Sequence, residues 1–142
     1  ASGLCLGKYA QEIHKEIAFK IFRAVREVEL VNESQMDVIT GLSGSGPAYY
    51  FLMMEEMIKA GTELGLTQDA AKELVLQTAK GAALLVVEAD KSGESPEQLR
   101  RKVTSPGGTT EAAIKVFSEG GFGPLVSAAL KRARDRSREL SG

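Results

Sequence analysis

The sequence has almost none of the residues that bind metals or form cross-links. Cys5 is its only cysteine and His14 its only histidine. A lone cysteine excludes a disulfide within the chain, and one cysteine with one histidine cannot supply the ligand set of a structural zinc site. We therefore expect no metal site and a reducing, cytoplasmic location. His14 lies beside Glu12, Lys15 and Glu16 on a helix face, so we expect it at the surface.

The chain also lacks an excess of charge and any long apolar run. Its 18 basic residues nearly cancel its 19 acidic ones, for a net charge of -1, so no overall field attracts nucleic acid or an anionic membrane. No apolar run approaches the roughly 20 residues that span a bilayer, and the start lacks the basic-then-apolar order of a signal peptide. We expect neither nucleic acid nor a membrane as a partner. The first residue, Ala1, suggests a processed or truncated chain.

One concentration of positive charge lies near the end of the chain: Lys131, Arg132, Arg134, Arg136 and Arg138. A cluster of this kind could contact RNA or DNA. However, Asp135 and Glu139 interrupt it at helical spacing, and no aromatic residues alternate with it to stack on bases. We therefore prefer to interpret it as a solvated terminal helix.

The 142 residues, 43% of them hydrophobic, are enough to bury a core of about one domain. Residues 2–8 and 28–31 alternate as two short strands. Between them, residues 11–27 repeat apolar side chains every four positions, as one face of a helix does: Ile13, Ile17, Ile21 and Val25. Two short strands are too few for an independent sheet. This β-α-β unit is therefore expected to be the end of something larger, with strand edges that pair with each other, swap between chains or fray.

From Met36 onward the chain is predicted to be entirely helical. Ser45 or Gly46 can cap a helix that begins at Pro47, because proline at the first helical position loses no needed N–H. Gly65 can end that helix in a left-handed turn, and Thr67 can cap the next. Farther on, Ser95-Pro96-Glu97-Gln98 has the arrangement of a capping box. These signals predict five helices, at about 47–64, 68–90, 96–103, 109–119 and 124–140.

The first two of these helices are apolar nearly all round. The first carries Tyr49, Tyr50, Phe51, Leu52, Met53, Met54, Met57 and Ile58, and the second is similar from Leu74 to Val87. A helix that is apolar on every side must be buried on every side. Three shorter helices cannot cover both, so we predict an obligate homodimer with interleaved helices. The alternative is a monomer with a tightly packed five-helix core.

The segment that is richest in chemistry is Thr104-Ser105-Pro106-Gly107-Gly108-Thr109-Thr110, directly before a predicted helix. Its glycines let backbone N–H groups approach a ligand, and the helix start adds partial positive charge, so a carboxylate or phosphate could be held without Lys or Arg. The alternative is a plain proline-glycine turn with a threonine cap. These residues alone leave both open.

A second glycine-rich segment, residues 41–47, matches none of three known motifs. It lacks the Gly-Lys-Ser/Thr of a phosphate-binding P-loop, the Gly-x-Ser-x-Gly of a serine-hydrolase elbow and the third small residue of a dinucleotide fingerprint. We interpret it as the tight start of a buried helix.

Two strings together closely resemble pyrroline-5-carboxylate reductase. One is Gln-Met-Asp-Val-Ile-Thr-Gly-Leu-Ser-Gly-Ser-Gly-Pro-Ala-Tyr at 35–49, and the other is Val-Thr-Ser-Pro-Gly-Gly-Thr-Thr at 103–110, with Leu99-Arg100 before it. The resemblance implies a mainly α fold: a helical bundle that interleaves with a second copy in a homodimer, preceded by a short β-α-β remnant of a Rossmann domain. Residues 1–34 would end the nucleotide-binding domain, and residues 35–142 would form the all-helical dimerisation and substrate-binding domain.

The resemblance also implies site residues for the NADPH- or NADH-dependent reduction of 1-pyrroline-5-carboxylate to L-proline. Thr110 would be catalytic, its hydroxyl contacting the ring nitrogen. The substrate carboxylate would lie on backbone N–H groups around Gly108, Thr109 and Thr110. The whole substrate-binding set is Val103, Thr104, Ser105, Gly107, Gly108, Thr109 and Thr110, and the nicotinamide end of the cofactor would lie near Ser45, Gly46 and Pro47.

The sequence departs from this family at its start. The glycine-rich dinucleotide turn is missing from these residues, so the chain alone is expected to bind no cofactor and to catalyse no hydride transfer. Arg26 stands where the family commonly has glycine. A free-standing helical dimerisation module without catalysis is the alternative function, and dimers could assemble into larger oligomers.

Overall fold

A computed structural model describes residues 1–24 and 27–141 and begins with a β-α-β unit. Strand β1 (Ser2–Leu4), helix α1 (Glu12–Arg23) and strand β2 (Val28–Leu30) follow in order. The strands pair in parallel, with Ser2 opposite Val28 and Leu4 opposite Leu30. The predicted unit is confirmed, and of the three fates expected for its strand edges the structure has pairing within one chain. The predicted helical position of Val25 and the departure at Arg26 lie outside the described residues.

Both β1 and α1 are shorter than predicted. The strand stops at Leu4, opposite the last residue of the three-residue β2, because residues beyond it have no strand to pair with. The helix starts after Gln11, whose backbone N–H donates to Nδ1 of His14 at 2.9 Å. His14 is exposed, as predicted, but its ring also satisfies one donor at the helix start.

A short helical stretch that the sequence pattern did not separate lies between β2 and the long helices. It comprises a 3₁₀ turn (Glu33–Gln35), helix α2 (Met36–Ile39) and a π-helical turn (Thr40–Gly44). The backbone N–H of Ser45 closes the π-helical turn on the carbonyl of Thr40 at 2.8 Å. Helix α3 begins directly afterwards, at Gly46. The predicted helical character from Met36 is confirmed, and α3 begins one residue before the predicted start at Pro47.

The last helix, α7 (Phe122–Ser141), packs against this stretch. A Cβ placed on the buried Gly41 would lie 3.2 Å from the backbone nitrogen of Arg134 and 3.3 Å from Cβ of Ala133. Only glycine allows so close an approach without a shift of the backbone. At the other end of the contact, Ser137 Oγ donates to Asp37 Oδ1 at 2.7 Å, across 100 residues of sequence.

The turn that joins helices α3 (Gly46–Glu63) and α4 (Gln68–Asp90) has the predicted signals at both of its ends. Gly65 has φ +105°, the left-handed conformation expected of it. Thr67 Oγ1 accepts the backbone N–H of Ala70 at 3.2 Å. Next to the turn, Gly61 lies against Ala71, since a Cβ there would stand 3.4 Å from Ala71 Cβ.

Helices α5 (Pro96–Lys102) and α6 (Thr109–Glu119) complete the set. The predicted capping box at α5 is confirmed, because Gln98 N–H donates to Ser95 Oγ at 3.2 Å while Ser95 N–H donates to Gln98 Oε1 at 2.7 Å. Gly121, with φ +75°, lies at the turn between α6 and α7.

The chain divides into two compact units. The terminal unit is Ala1–Tyr49 with Pro124–Gly142, and the central unit is Tyr50–Gly123. The predicted boundary between the end of a nucleotide-binding domain (1–34) and a dimerisation domain (35–142) is a different division, and it stays a prediction.

A single copy buries very little of its apolar surface. Among the described residues, only four hydrophobic ones are buried: Val28, Ala71, Val75 and Ala89. By contrast, Tyr50 and Phe51 on α3 are 70% and 65% exposed, and Leu84 and Val87 on α4 are 61% and 64% exposed. The tightly packed monomer considered as an alternative is therefore not what one chain forms.

Candidate functional site

The connection between α5 and α6 is a tight turn built by its proline and glycines. The backbone N–H of Gly108 donates to the carbonyl of Ser105 at 2.9 Å, and Gly107 has φ +71°. Proline at the second position and a positive φ at the third are the features of a type II turn. A Cβ on Gly108 would lie only 3.0 Å from the Ser105 carbonyl oxygen. Both glycines are therefore required, one for its φ and one for its small size.

The turn leads directly into α6, and the backbone N–H groups at the start of this helix are free in the part of the chain that the structure describes. The N-cap is Gly108, with no side-chain cap, rather than a threonine. The first intrahelical bond is from Ala112 N–H to the Gly108 carbonyl at 3.2 Å. Within the described residues, the N–H groups of Thr109, Thr110 and Glu111 have no partner. They are the donors that a helix start offers to an anion.

The hydroxyl groups near the turn differ in availability. Thr104 Oγ1 donates to the carbonyl of Arg100 at 2.6 Å, so this hydroxyl finishes α5. Thr110 is half-buried, and in the described part of the chain its hydroxyl makes no hydrogen bond. Ser105 and Thr109 are exposed. Thr110 is thus the hydroxyl that combines partial shielding from water with a free donor.

Glu111, which the sequence reasoning missed, closes the turn from the other side. Its Oε2 accepts the backbone N–H of Gly107 at 2.7 Å. The residue is the third of α6, the position from which a glutamate reaches back over a helix start. That spacing, Gly107 followed four residues later by glutamate, was the signal that could have found it.

The cations nearest the turn in sequence already have carboxylate partners. Arg101 Nη2 donates to Glu97 Oε1 at 2.7 Å, and Lys102 pairs with Glu94. A bound anion would therefore rely on the backbone donors of α6 more than on these side chains. The predicted anion site and the plain turn are compatible, because the turn is what exposes the donors.

Val103 caps the end of α5 and is 63% exposed. It lines a groove of the central unit, between the end of α4 and α5, with Leu85, Ala89 and Leu99. All seven residues of the predicted substrate-binding set lie in one short segment of the sequence, 103–110, which forms the end of α5, the turn and the start of α6. Their role in binding stays a prediction.

Ser45, Gly46 and Pro47, predicted to contact a cofactor, belong to the terminal unit. Ser45 is half-buried, with its N–H on the Thr40 carbonyl and its own carbonyl accepting the Ala48 N–H at 3.1 Å. Gly46 is buried and Pro47 is exposed. These residues offer one hydroxyl and an apolar edge, which suit contact with a planar ring.

The basic cluster of α7 is largely paired within its own helix. Arg132 and Arg136 donate to the two carboxylate oxygens of Glu139 at 2.9 and 2.7 Å, and Arg134 donates to Asp135 at 2.8 and 2.6 Å. The hydrogen bond from Arg136, and then that from Arg132, lowers the pKa of Glu139 below its ordinary value. Pairing of this kind favours the solvated helix over a nucleic-acid surface, and the absence of a nucleic-acid partner stays a prediction.

Two other kinds of site have no candidate in the described residues. No group of three or more His, Cys, Asp or Glu side chains there could hold a metal ion. In the same part of the chain, no helix combines the length and apolar character that crossing a membrane requires.

Comparison with known proteins identifies the family. The model of the family described as pyrroline-5-carboxylate reductase dimerisation matches residues 33–140. The chain belongs to this family, which confirms the resemblance inferred from the motifs.

Two curated relatives illustrate the match. Pyrroline-5-carboxylate reductase 1 of Bacillus subtilis (strain 168) is 41% identical over 141 residues, which cover 99% of this chain and 46% of the relative. Pyrroline-5-carboxylate reductase of Pseudomonas aeruginosa is 46% identical over 142 residues, covering 99% of this chain and 51% of the relative. The chain therefore spans about half the length of the curated relatives that it matches.

Solved structures agree in fold. The pyrroline-5-carboxylate reductase of Coxiella burnetii superposes with a TM-score of 0.89 at 45% identity, covering 98% of this chain and 51% of the other. The Plasmodium falciparum pyrroline carboxylate reductase with NADP bound gives a TM-score of 0.86 at 32% identity, covering 99% and 53%. The mainly α fold with a short β-α-β start is thus confirmed.

Proposed function

We propose that this chain is part of a pyrroline-5-carboxylate reductase, which reduces 1-pyrroline-5-carboxylate to L-proline in proline biosynthesis. The observation that carries the proposal is the start of α6, where free backbone donors and the free hydroxyl of Thr110 occur together. The family match over residues 33–140 supports a reaction of this class. A cytoplasmic location is part of the proposal.

The substrate is held by its carboxylate on the backbone N–H groups of Thr109 and Thr110. These groups are unpaired in the described chain and point along a helix whose dipole favours negative charge. The N–H of Gly108 is already bonded to Ser105, so Gly108 serves as the N-cap. Val103 and the turn residues Thr104, Ser105 and Gly107 form the remainder of the binding segment.

The Thr110 hydroxyl acts at the ring nitrogen. The nicotinamide cofactor, NADPH or NADH, supplies the hydride that adds to the C=N carbon. As the C=N double bond becomes single, the nitrogen gains electron density and takes a proton. A hydroxyl held at that atom stabilises the developing charge and can relay the proton. Thr110 suits this role because its hydroxyl has no competing hydrogen bond in the described chain.

The cofactor contact of this chain is limited to the nicotinamide end. Ser45, Gly46 and Pro47 have the hydroxyl and apolar edge for a planar ring, as described above. No Gly-x-Gly-x-x-Gly turn occurs among the 142 residues, so the dinucleotide phosphates have no cradle of that type here. We therefore expect cofactor binding and turnover from the longer protein that contains this chain, and neither from these residues alone.

The working unit is a homodimer in which α3 and α4 of one copy lie against those of the other. The exposed apolar side chains of these helices support it, because a surface with Tyr50, Phe51, Leu84 and Val87 more than half exposed is one that a second chain normally covers. The description of the family as a dimerisation domain supports the same interpretation. The mass of the native protein will distinguish a dimer from a larger assembly.

The proposal is tested by oxidation of NADPH and NADH with 1-pyrroline-5-carboxylate, using the full reading frame that contains this segment. We expect the wild type to turn over and Thr110→Ala to lose about 100-fold in kcat. Thr110→Ser, which keeps the hydroxyl, should recover most of the rate. Equal kcat in wild type and Thr110→Ala would remove the catalytic role. No turnover in a folded wild-type dimer would favour a dimerisation module without catalysis.

A further inference from the structure

Two hydrogen bonds hold the turn at 105–108, and only one of them is formed between residues of the turn itself. Within the turn, the Gly108 N–H donates to the Ser105 carbonyl. From outside the turn, the carboxylate of Glu111, in the first turn of α6, accepts the Gly107 N–H at a distance of 2.7 Å. Gly107 itself has φ +71°. Glycine populates many conformations at little cost, so its own backbone does not select this one.

We propose that Glu111 is a positioning residue that keeps the 105–108 turn closed, so that the Thr109 and Thr110 N–H groups stay aimed at the substrate carboxylate. The inference rests on the proposed function for its ligand. Its structural part, the ordering of the turn by Glu111, stands on the hydrogen bond alone.

The charge of Glu111 and its hydrogen bond act in opposite directions. The bond orders the turn, which favours binding of the substrate anion. The negative charge lies at the same helix start and repels that anion, although it also interacts favourably with the helix dipole. An amide at this position keeps an acceptor oxygen and removes the charge. The bond and the charge can therefore be separated by substitution.

Three variants of the full-length protein distinguish the effect of the Glu111 hydrogen bond from the effect of its charge. Glu111→Ala removes both the bond and the charge, and Glu111→Gln removes only the charge. Asp69→Ala is the matched control, because Asp69 is also an exposed acid in the first turn of a helix but belongs to α4. The measured quantities are kcat and KM for 1-pyrroline-5-carboxylate, and hydrogen exchange of a peptide that spans residues 104–111.

We expect Glu111→Ala to raise KM about three- to tenfold while kcat stays within about twofold, because a solvent-exposed hydrogen bond contributes modestly and acts on ground-state binding. Glu111→Gln should have a KM equal to or below that of the wild type. Exchange in the 104–111 peptide should accelerate in the alanine variant and not in the glutamine variant. Asp69→Ala should change neither KM nor the exchange rate of this peptide.

Other results would overturn the inference. A KM in Glu111→Ala no higher than that in Glu111→Gln would show that the bond does not position the turn, because the two variants differ only in the bond. A lowered KM in both variants would make Glu111 a competitor of the substrate, and an equally raised KM in both would assign the effect to charge. If the wild type fails to turn over, the proposed function fails, and the exchange rates alone decide whether Glu111 orders the turn.

Discussion

Gly107→Ala tests whether the turn before α6 is a binding element and not only a connection. At φ +71° an alanine costs about 1–2 kcal/mol because its Cβ crowds the following carbonyl. No neighbouring atom lies within 4 Å of that Cβ, so the cost is conformational and includes no clash. The variant can keep the turn closed and lose that much free energy of unfolding, or it can open the turn and avoid the strained conformation.

Opening the turn would separate the Thr109 and Thr110 donors from the substrate carboxylate. A cost of about 1.4 kcal/mol corresponds to a factor of ten in an equilibrium. We therefore expect Gly107→Ala to raise KM for 1-pyrroline-5-carboxylate up to about tenfold in the full-length protein, and to lower the free energy of unfolding by at most about 2 kcal/mol.

Gly93→Ala is a matched control. Gly93 has φ +77°, and a Cβ placed there would also have no atom within 4 Å, but the residue lies in the connection between α4 and α5. The same conformational cost should appear there in urea unfolding, without a change in KM. An equal KM for the two variants would refute the assignment of the turn to substrate binding. Unchanged stability in both would refute the conformational argument itself.

Two further predictions concern the assembly and the last helix. Because Tyr50 and Leu84 are exposed in one copy, the native protein should have the mass of at least two chains in light scattering, and its Tm should fall on dilution; a monomer with a constant Tm at micromolar concentration would contradict the dimer. The pKa of Glu139 is lowered by the hydrogen bond from Arg136 and then by that from Arg132. The ion pairs of Glu139 therefore stabilise the folded chain at pH values above the ordinary pKa of glutamate, and this stabilisation is lost as the pH falls through the lowered pKa. A titration of Glu139 by NMR should give a pKa below 4.5, moving toward that value in Arg136→Ala; no movement in this variant would contradict the stated cause.

The ends of the long helices could be predicted because their signals are local. Thr67 and Ser95 bind N–H groups three residues ahead, and Gly65 and Gly121 adopt the left-handed φ that only glycine takes readily. Such interactions involve neighbours in sequence, so residue type and spacing are sufficient. The same reasoning applies in part to the turn at 105–108, whose proline and glycines permit the type II conformation.

Other features depend on residues that are far apart in sequence or on geometry that spacing does not encode. The π-helical turn at 40–44 has no distinctive pattern, and its close contact with α7 is visible only once Gly41 and Arg134 lie side by side. The Glu111 bond was missed because a glutamate at a helix start is equally compatible with solvent.

What the sequence determined alone is the order of the helices, the positions of the glycine turns and, through its two motifs, the family. The folded structure decided which donors are free. The Thr104 hydroxyl donates to the Arg100 carbonyl, and the N–H groups of Gly107 and Gly108 are also bonded, whereas the N–H groups of Thr109 and Thr110 have no partner in the described chain. The folded structure also decided how little apolar surface one copy buries, since periodicity indicates which side chains avoid water but not whether the same chain or a second one covers them.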